Sequence, residues 1–369
     1  MTVAPETISR GGDGYAAASL PPRRLAYIVS GVLGDRTTSK GGDRTSPRAE
    51  YEEIIRQTGA SLFGLDDARR ANPALHRLAP KRSIEYLLLA LFLRLSLKSY
   101  SHFIFSGEDI GMPAALALWR RSSPAHIVIT IHGFYFENKK FRSLARVVSA
   151  MKNVRYACLS EAVRDQMIAR FGADASRCHS IGYFADTEFF SPLPSATDEV
   201  VISSAGLSQR DYRTFVAATR DLPFSVKIAA ASQWITQQPT AIDMPSNIEM
   251  RSFGTHAKLR QLYADSAIVV VPLWDVRFAA GYAVIAEAMA MGRPVILTRT
   301  GAPPDFIEDD KNALMVPAGD PAALRSAILM LLADRPRAER LGAAARTKML
   351  TEFSLETYCQ ALLAIVEVS

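Results

Sequence analysis

The stretch GYAVIAEAMAMGRPVILTRTGAP, residues 281–303, sets a helical pattern and a strand pattern back to back. Apolar residues from Tyr282 to Met291 suit a helix that Gly292 closes as a C-terminal cap, and Pro294 opens the buried strand PVILT. A helix feeding a continuous apolar strand is the unit of a parallel sheet covered on both faces. One carboxylate, Glu287, interrupts the apolar run. An ionised carboxylate among Ala, Val, Ile and Met is costly, so Glu287 either points to solvent or has a polar partner.

The same alternation extends outward through both halves. Strand-like runs fall at 24–31, 101–107, 126–133 and 155–160 in the first half, and at 199–206, 224–232, 267–273 and 293–298 in the second. Helical patterns separate them, which gives an α/β chain with two Rossmann-like domains. Its 369 residues suffice for two full cores. The segment GYFADTEFFSPLPSATDE, 182–199, is rich in turn formers and reads as an interdomain linker. The expected division is a flexible tail over 1–22, a first domain over 23–193 and a second over 194–369. The second includes helices near 320–333 and 336–351 and a last one that Ser354 caps.

Composition narrows the function. An apolar fraction of 49% and a charged fraction of 22% are those of a soluble globular protein, and a net charge of +6 favours an anionic ligand or surface. The basic residues are dispersed, with no long Lys/Arg block or zinc-type spacing, so no nucleic-acid partner is expected. Cys158, Cys178 and Cys359 are too few and too scattered for a disulfide framework and suit a reducing cytoplasm. The tail MTVAPETISRGGDGYAAASLPP has no apolar core of a secretory signal. The most hydrophobic run, IEYLLLALFLRLSLKSY at 84–100, is too charged to span a bilayer; it reads as a helix buried on a sheet or as a face resting on a membrane.

In open α/β sheets ligands bind beyond the carboxyl ends of the strands. Several turns there carry glycine: SGVLGD with Gly31 and Gly34, HG with His132 and Gly133, and AGLSQRDY with Gly206. A glycine turn leading into a helix offers free N–H groups and a positive dipole end to phosphate. Arg210 adds a guanidinium suited to a diphosphate, with a surface pair to Asp211 as the alternative. The helix that begins at Gly281 and the turn TGAPPD, 300–305, complete a set that points to a nucleoside diphosphate.

These residues resemble the family 4 (group 1) glycosyltransferases. The resemblance is carried by DSAIVVVPLW at 265–274 and by GYAVIAEAMAMGRPVILTRTGAPPDFIEDDKNALMVPAGDPAALRSAILMLL at 281–332. It extends more loosely to HG at 132–133, to GYFADTEFFSP at 182–192 and to AGLSQRDYRTFVAA at 205–218, so that it covers about the last three quarters of the chain.

It implies the GT-B fold, two Rossmann-like domains whose parallel sheets face a central cleft, and transfer of a sugar from a nucleoside diphosphate sugar, UDP favoured over GDP. Glu287 takes the place of the second Glu of the family's E-x7-E motif, which binds the donor ribose. Arg210 matches the basic residue that contacts the pyrophosphate, and Gly281 and Tyr282 fall in the backbone loop facing phosphates and sugar. His132 resembles the histidine beside the donor sugar, the catalytic candidate, with Gly34 and Gly133 in the acceptor and phosphate loops.

Departures are as specific. The first motif Glu is Ala279, with Asp275 and Arg277 nearby as substitutes, and Leu207 stands where the family has a second basic residue. No metal and no cofactor beyond the sugar nucleotide are implied. The expected reaction is retaining, and the acceptor a glycan or a lipid-linked one in polysaccharide or glycolipid biosynthesis. The expected location is cytoplasmic, with peripheral contact to the inner face of the membrane. The basic loop 35–54, with Arg36, Lys40, Arg44 and Arg48, and Arg120, Arg121, Lys139 and Lys140 border the acceptor side or are solvated loop charges. Rival readings are a nucleotide-binding relative without catalysis, motivated by Ala279, and a related epimerase or phosphorylase.

Overall fold

The computed structural model describes residues 25–30, 45–77, 82–119, 125–230 and 244–367. Gly34, the tail, Arg36, Lys40, Arg44, Arg120 and Arg121 lie outside the described residues. The described residues form twelve strands: β1 Leu25–Ile28, β2 Ser61–Phe63, β3 His102–Phe105, β4 His126–Ile131, β5 Val154–Cys158, β6 Cys178–Ser180, β7 Val201–Ala205, β8 Ser225–Ala229, β9 Ile248–Arg251, β10 Ser266–Val271, β11 Val295–Thr298 and β12 Leu314–Val316. The helices are α1 Glu50–Thr58, α2 Leu65–Ala71, α3 Pro73–Arg77, α4 Arg82–Ser96, α5 Glu108–Leu118, α6 Lys139–Ser149, α7 Glu161–Phe171, α8 Tyr212–Thr219, α9 His256–Asp265, α10 Tyr282–Ala290, α11 Pro321–Ala333, α12 Arg335–Glu352 and α13 Leu355–Glu367.

The strands form two six-stranded sheets, all parallel, in the orders β2-β1-β3-β4-β5-β6 and β12-β11-β10-β7-β8-β9. This is the GT-B arrangement of two Rossmann-like units. In the second sheet the strand order reverses between β7 and β10, and a doubly wound sheet opens its ligand crevice there, at the carboxyl ends of those two strands. The corresponding place in the first sheet lies between β1 and β3.

Local signals set the helix ends. Asp211 accepts the Thr214 N–H at 3.0 Å to start α8, Asp320 accepts the Ala323 N–H at 2.9 Å to start α11, and Ser354 accepts the Thr357 N–H at 3.1 Å to start α13. The helix and strand of residues 282–298 form as the sequence implies, with Gly292 at φ 70° turning the chain between them.

The linker at 182–193 contains no helix or strand and passes between the two sheets. The last helix does not stay with the second sheet, which sequence order alone suggested. Leu355, Tyr358, Cys359, Leu362 and Ile365 of α13 pack into one cluster with Tyr27, Ile54, Val128 and Ala157 of the first sheet and α1. Apolar spacing shows that α13 has a buried face, but not which sheet receives it.

Arg48 has a different role from an acceptor-side charge. It donates to Asp186 Oδ2 at 3.2 Å through Nε and to Oδ1 at 2.9 Å through Nη2, and it also pairs with Glu356 of α13 at 2.7 Å. The carboxylate side chain of Asp186 is fully buried, and Arg48 holds its pKa below the usual range despite that burial. The Arg48 cation therefore clasps linker, α1 loop and α13 together. An Arg48→Met variant removes the guanidinium from Asp186 and keeps the backbone donors of residue 48, Glu188 and Phe189. It is expected to lose about 2 kcal/mol of stability, less than for a wholly orphaned charge, measured by urea unfolding.

Among the described residues no helix is long and apolar enough to cross a membrane.

Candidate functional site

The switch point of the second sheet brings two glycine turns and a guanidinium together. Gly206, at φ 91°, follows β7, and Gly281, at φ 76°, is the N-cap of α10. The Arg210 guanidinium lies against both turns: a Cβ on Gly206 would stand 2.7 Å from its Nη2, and one on Gly281 would stand 3.3 Å from its Nη1. Glycine is needed at 206 twice over, for the backbone angle and for the room the guanidinium occupies.

Arg210 is held by carbonyl oxygens, donating through Nε to Ala205 at 2.8 Å and through Nη1 to Ser208 at 2.9 Å. No carboxylate is within ion-pair distance of it among the described residues. The alternative pair with Asp211 does not form, because Asp211 is used as the cap of α8. Burial lowers the pKa of Arg210, opposed by the nearby oxygens of Tyr212, Tyr263 and Glu287. A half-buried cation with no carboxylate partner among the described residues, beside a helix N-terminus, can take up an anion.

Glu287 has a polar partner rather than a fully solvated face. The Tyr263 hydroxyl, itself fully buried, donates to Glu287 Oε2 at 2.8 Å. Burial pushes the Glu287 pKa up to about 7, and the Tyr263 hydrogen bond and the Arg210 charge hold it from rising further. Tyr263 was not singled out in the sequence: LRQLYADS reads as a helix with a core tyrosine, and nothing local reveals that its hydroxyl meets a carboxylate 24 residues on.

Tyr282 contributes differently. Its side chain is buried, donates to the Ala302 carbonyl at 2.9 Å and packs edge-on against Tyr183 and Phe306. Only its backbone N–H, in the first turn of α10, remains for a ligand.

Across the cleft, His132 follows β4. Its backbone N–H donates to Glu108 Oε2 at 2.7 Å, and its Nδ1 lies 3.4 Å from the same oxygen. Burial pulls the imidazole pKa down, but the Glu108 carboxylate, with Asp109 and Glu50, outweighs it and leaves the pKa raised. Glu108 is 2% exposed, and its tendency to rise by burial is overcome by His132, so its pKa is lowered. Glu108 thus fixes the ring by one edge. In the sequence, SGEDIGM shows only an acidic helix start; the bond to a residue on the next strand is nonlocal.

The two halves meet at His132. Its carbonyl accepts the Ala279 N–H at 2.9 Å, and Gly133, at φ 85°, lets Phe278 approach, where a Cβ on Gly133 would lie 3.1 Å from Phe278 Cβ. Ala279 is buried in the cluster that joins the two domains. Asp275 accepts the Gly301 N–H at 3.2 Å, and the exposed Arg277 lies over Gly301 while its carbonyl accepts Gln166 Nε2 at 2.7 Å. Arg277 makes no ion pair with Glu287 among the described residues. Asp305, from the TGAPPD turn, reaches the first domain, accepting the Glu161 N–H at 3.0 Å and the Ser180 hydroxyl at 2.7 Å. No group of three or more His, Cys, Asp or Glu side chains among the described residues is placed to hold a metal ion.

Residues 215–334 match the family model described as Glycosyl transferases group 1. The chain is 26% identical over 209 residues to a D-inositol 3-phosphate glycosyltransferase of Xylanimonas cellulosilytica, covering 49% of each chain. It is 35% identical over 183 residues to the lipopolysaccharide core biosynthesis glycosyltransferase LpsE of Rhizobium meliloti, covering 47% of this chain and 52% of that one. It spans about half the length of these curated relatives.

Among solved structures, a glycosyltransferase from Rickettsia africae superposes with a TM-score of 0.69 at 15% identity, over 94% of this chain and 98% of that one. HepE of Anabaena, in complex with UDP-glucose, superposes with a TM-score of 0.65 at 16% identity, over 94% and 100%. The chain therefore has the GT-B fold, and its residues 215–334 are similar to the glycosyl transferases group 1.

Proposed function

We propose that the protein transfers a glycosyl unit from a nucleoside diphosphate sugar, UDP-linked in the first instance, to a glycan or lipid-linked acceptor in polysaccharide or glycolipid biosynthesis. The observation that carries the reading is Arg210, a cation without a carboxylate partner among the described residues, between two positive-φ glycines at the switch point, with Glu287 on the helix that starts there. HepE, of the same fold, is described with UDP-glucose, which supports a uridine donor.

The chemistry follows from the placement. Cleavage of the glycosyl–phosphate bond puts negative charge on the departing diphosphate, and Arg210 with the N–H groups at the start of α10 neutralises it. This is the work a divalent cation does elsewhere, so the reaction needs no metal and no bound cofactor. Glu287 accepts ribose O–H groups through the oxygen that Tyr263 leaves open. His132, oriented by Glu108, borders the developing oxocarbenium from the first domain. Gly133 lets the seam close over it and exclude water. The leaving phosphate then deprotonates the acceptor on the same face, and configuration is retained. The reaction is assigned to the cytoplasm, where sugar nucleotides are made.

Incubation with UDP-glucose and alkyl glycoside or polyprenyl-linked acceptors, followed by product analysis, tests the reading. The expected result is UDP release with the sugar on the acceptor, or slow donor hydrolysis without one. His132→Ala should lower turnover by about two orders of magnitude with UDP binding unchanged. Ala279, which replaces the expected carboxylate, favours one rival: a protein that binds the nucleotide and does not turn it over. Tight binding with no turnover of any donor would establish that rival, and a new sugar nucleotide without UDP release would indicate an epimerase.

A further inference from the structure

The outer face of α4 carries a row of large apolar side chains that none of the described elements covers. Ile84, Leu87, Leu91 and Leu95 recur at spacings of three and four, so they lie in one line along the helix. They are 37%, 59%, 43% and 58% exposed, while Leu89, Ala90 and Leu93 on the other side are buried in the core of the first domain. Core packing explains the inner face and leaves the outer row without a role. A contiguous exposed row of this kind marks an interaction surface.

The surroundings of the row are basic. The one acidic residue of α4, Glu85, is engaged by Arg69 at 3.0 Å. Arg94 donates at 3.0 Å to the Trp119 carbonyl and also reaches that of Ala117, which brings the backbone at Trp119, a residue 47% exposed, to the C-terminal half of α4. Lys98 follows the helix and is exposed. Leucines in a line, an exposed Trp119 toward the C-terminal half of their helix and cations around them match acyl chains below an anionic headgroup layer. The net charge of +6 acts in the same direction. A second copy of the chain, equally basic, would bring like charges together.

We propose that this face of α4, with Trp119, docks the protein on an anionic bilayer. The proposal deepens the reading of a lipid-linked acceptor by laying the acceptor domain against the lipid, and it is tested without nucleotide, so the two fail separately. The full-length chain is sedimented with vesicles of equal parts phosphatidylglycerol and phosphatidylcholine, and with phosphatidylcholine alone. Partitioning to the anionic vesicles is expected, at least about tenfold weaker to the neutral ones and weakened by salt.

The double change Leu87→Asp and Leu95→Asp should reduce partitioning by about tenfold or more, with the melting temperature and nucleotide binding of the parent. Brominated lipid should quench tryptophan emission in the parent and much less in Trp119→Phe. No partitioning, or a double variant that partitions like the parent, overturns the proposal. So does a parent that is dimeric by light scattering and free of vesicles while the double variant is monomeric, which would make the face a contact between copies.

Discussion

Replacing Arg210 with Met is expected to weaken binding of a nucleoside diphosphate about a hundredfold and to leave binding of the bare nucleoside as in the parent. Each charge-assisted bond from a guanidinium to phosphate contributes about 1.5–3 kcal/mol, and loss of roughly 3 kcal/mol corresponds to a factor of about 100 in Kd. The nucleoside lacks the group that Arg210 would meet. The fold should tolerate the change, because among the described residues the Arg210 side chain hydrogen-bonds only to the carbonyls of Ala205 and Ser208, and burial already disfavours its charge. Arg210→Lys keeps the charge without the planar fork and should fall between. Calorimetry with UDP and with uridine separates these outcomes; equal losses for both ligands would mean that Arg210 shapes the pocket rather than binding phosphate.

Glu287→Gln is expected to make the protein more heat-stable at pH 8 and a poorer nucleotide binder at the same pH. The pKa of Glu287 is lifted from 4.5 to about 7 in the folded chain. A carboxyl raised in this way stabilises the fold fully only below its unfolded pKa, and that contribution is lost as pH rises through 7. Complete ionisation costs roughly 3 kcal/mol, and the amide does not ionise. The variant should therefore gain about 2 kcal/mol over the parent at pH 8 and little at pH 5, seen as a higher melting temperature only at the higher pH. Its neutral amide replaces a charge-assisted acceptor, so nucleotide affinity should drop about tenfold. For the parent, nucleotide binding should strengthen between pH 6 and pH 8 as Glu287 ionises. A melting difference independent of pH would contradict the account.

The eight strands read from the sequence are the interior of the two sheets; the four it did not show, β2, β6, β9 and β12, are the four edges. Interior strands here are continuous apolar runs because both faces and both sides are covered, whereas an edge strand of three or four residues carries no such run. Site residues divide in a similar way. Gly206, Arg210, Gly281 and Glu287 come together in the candidate site as short motifs at strand ends and a helix start imply. Tyr263, Glu108 and Asp305 act on groups 24 to 144 residues away, which no local pattern encodes. Arg48 reads as one charge of a basic loop, and only the fold shows that the linker's Asp186 claims it. The segment 84–100 was open between a buried helix and a membrane face, and α4 has a buried side and an exposed apolar one.

The most direct test of the central claim is calorimetric titration of the parent chain with UDP, GDP, ADP and dTDP, beside Arg210→Met and Glu287→Ala. The account predicts that one diphosphate, UDP, binds in preference to the others and that each variant weakens it by more than about 1.4 kcal/mol, a factor of ten. Absence of binding by all four, or variants that bind as the parent does, would contradict it.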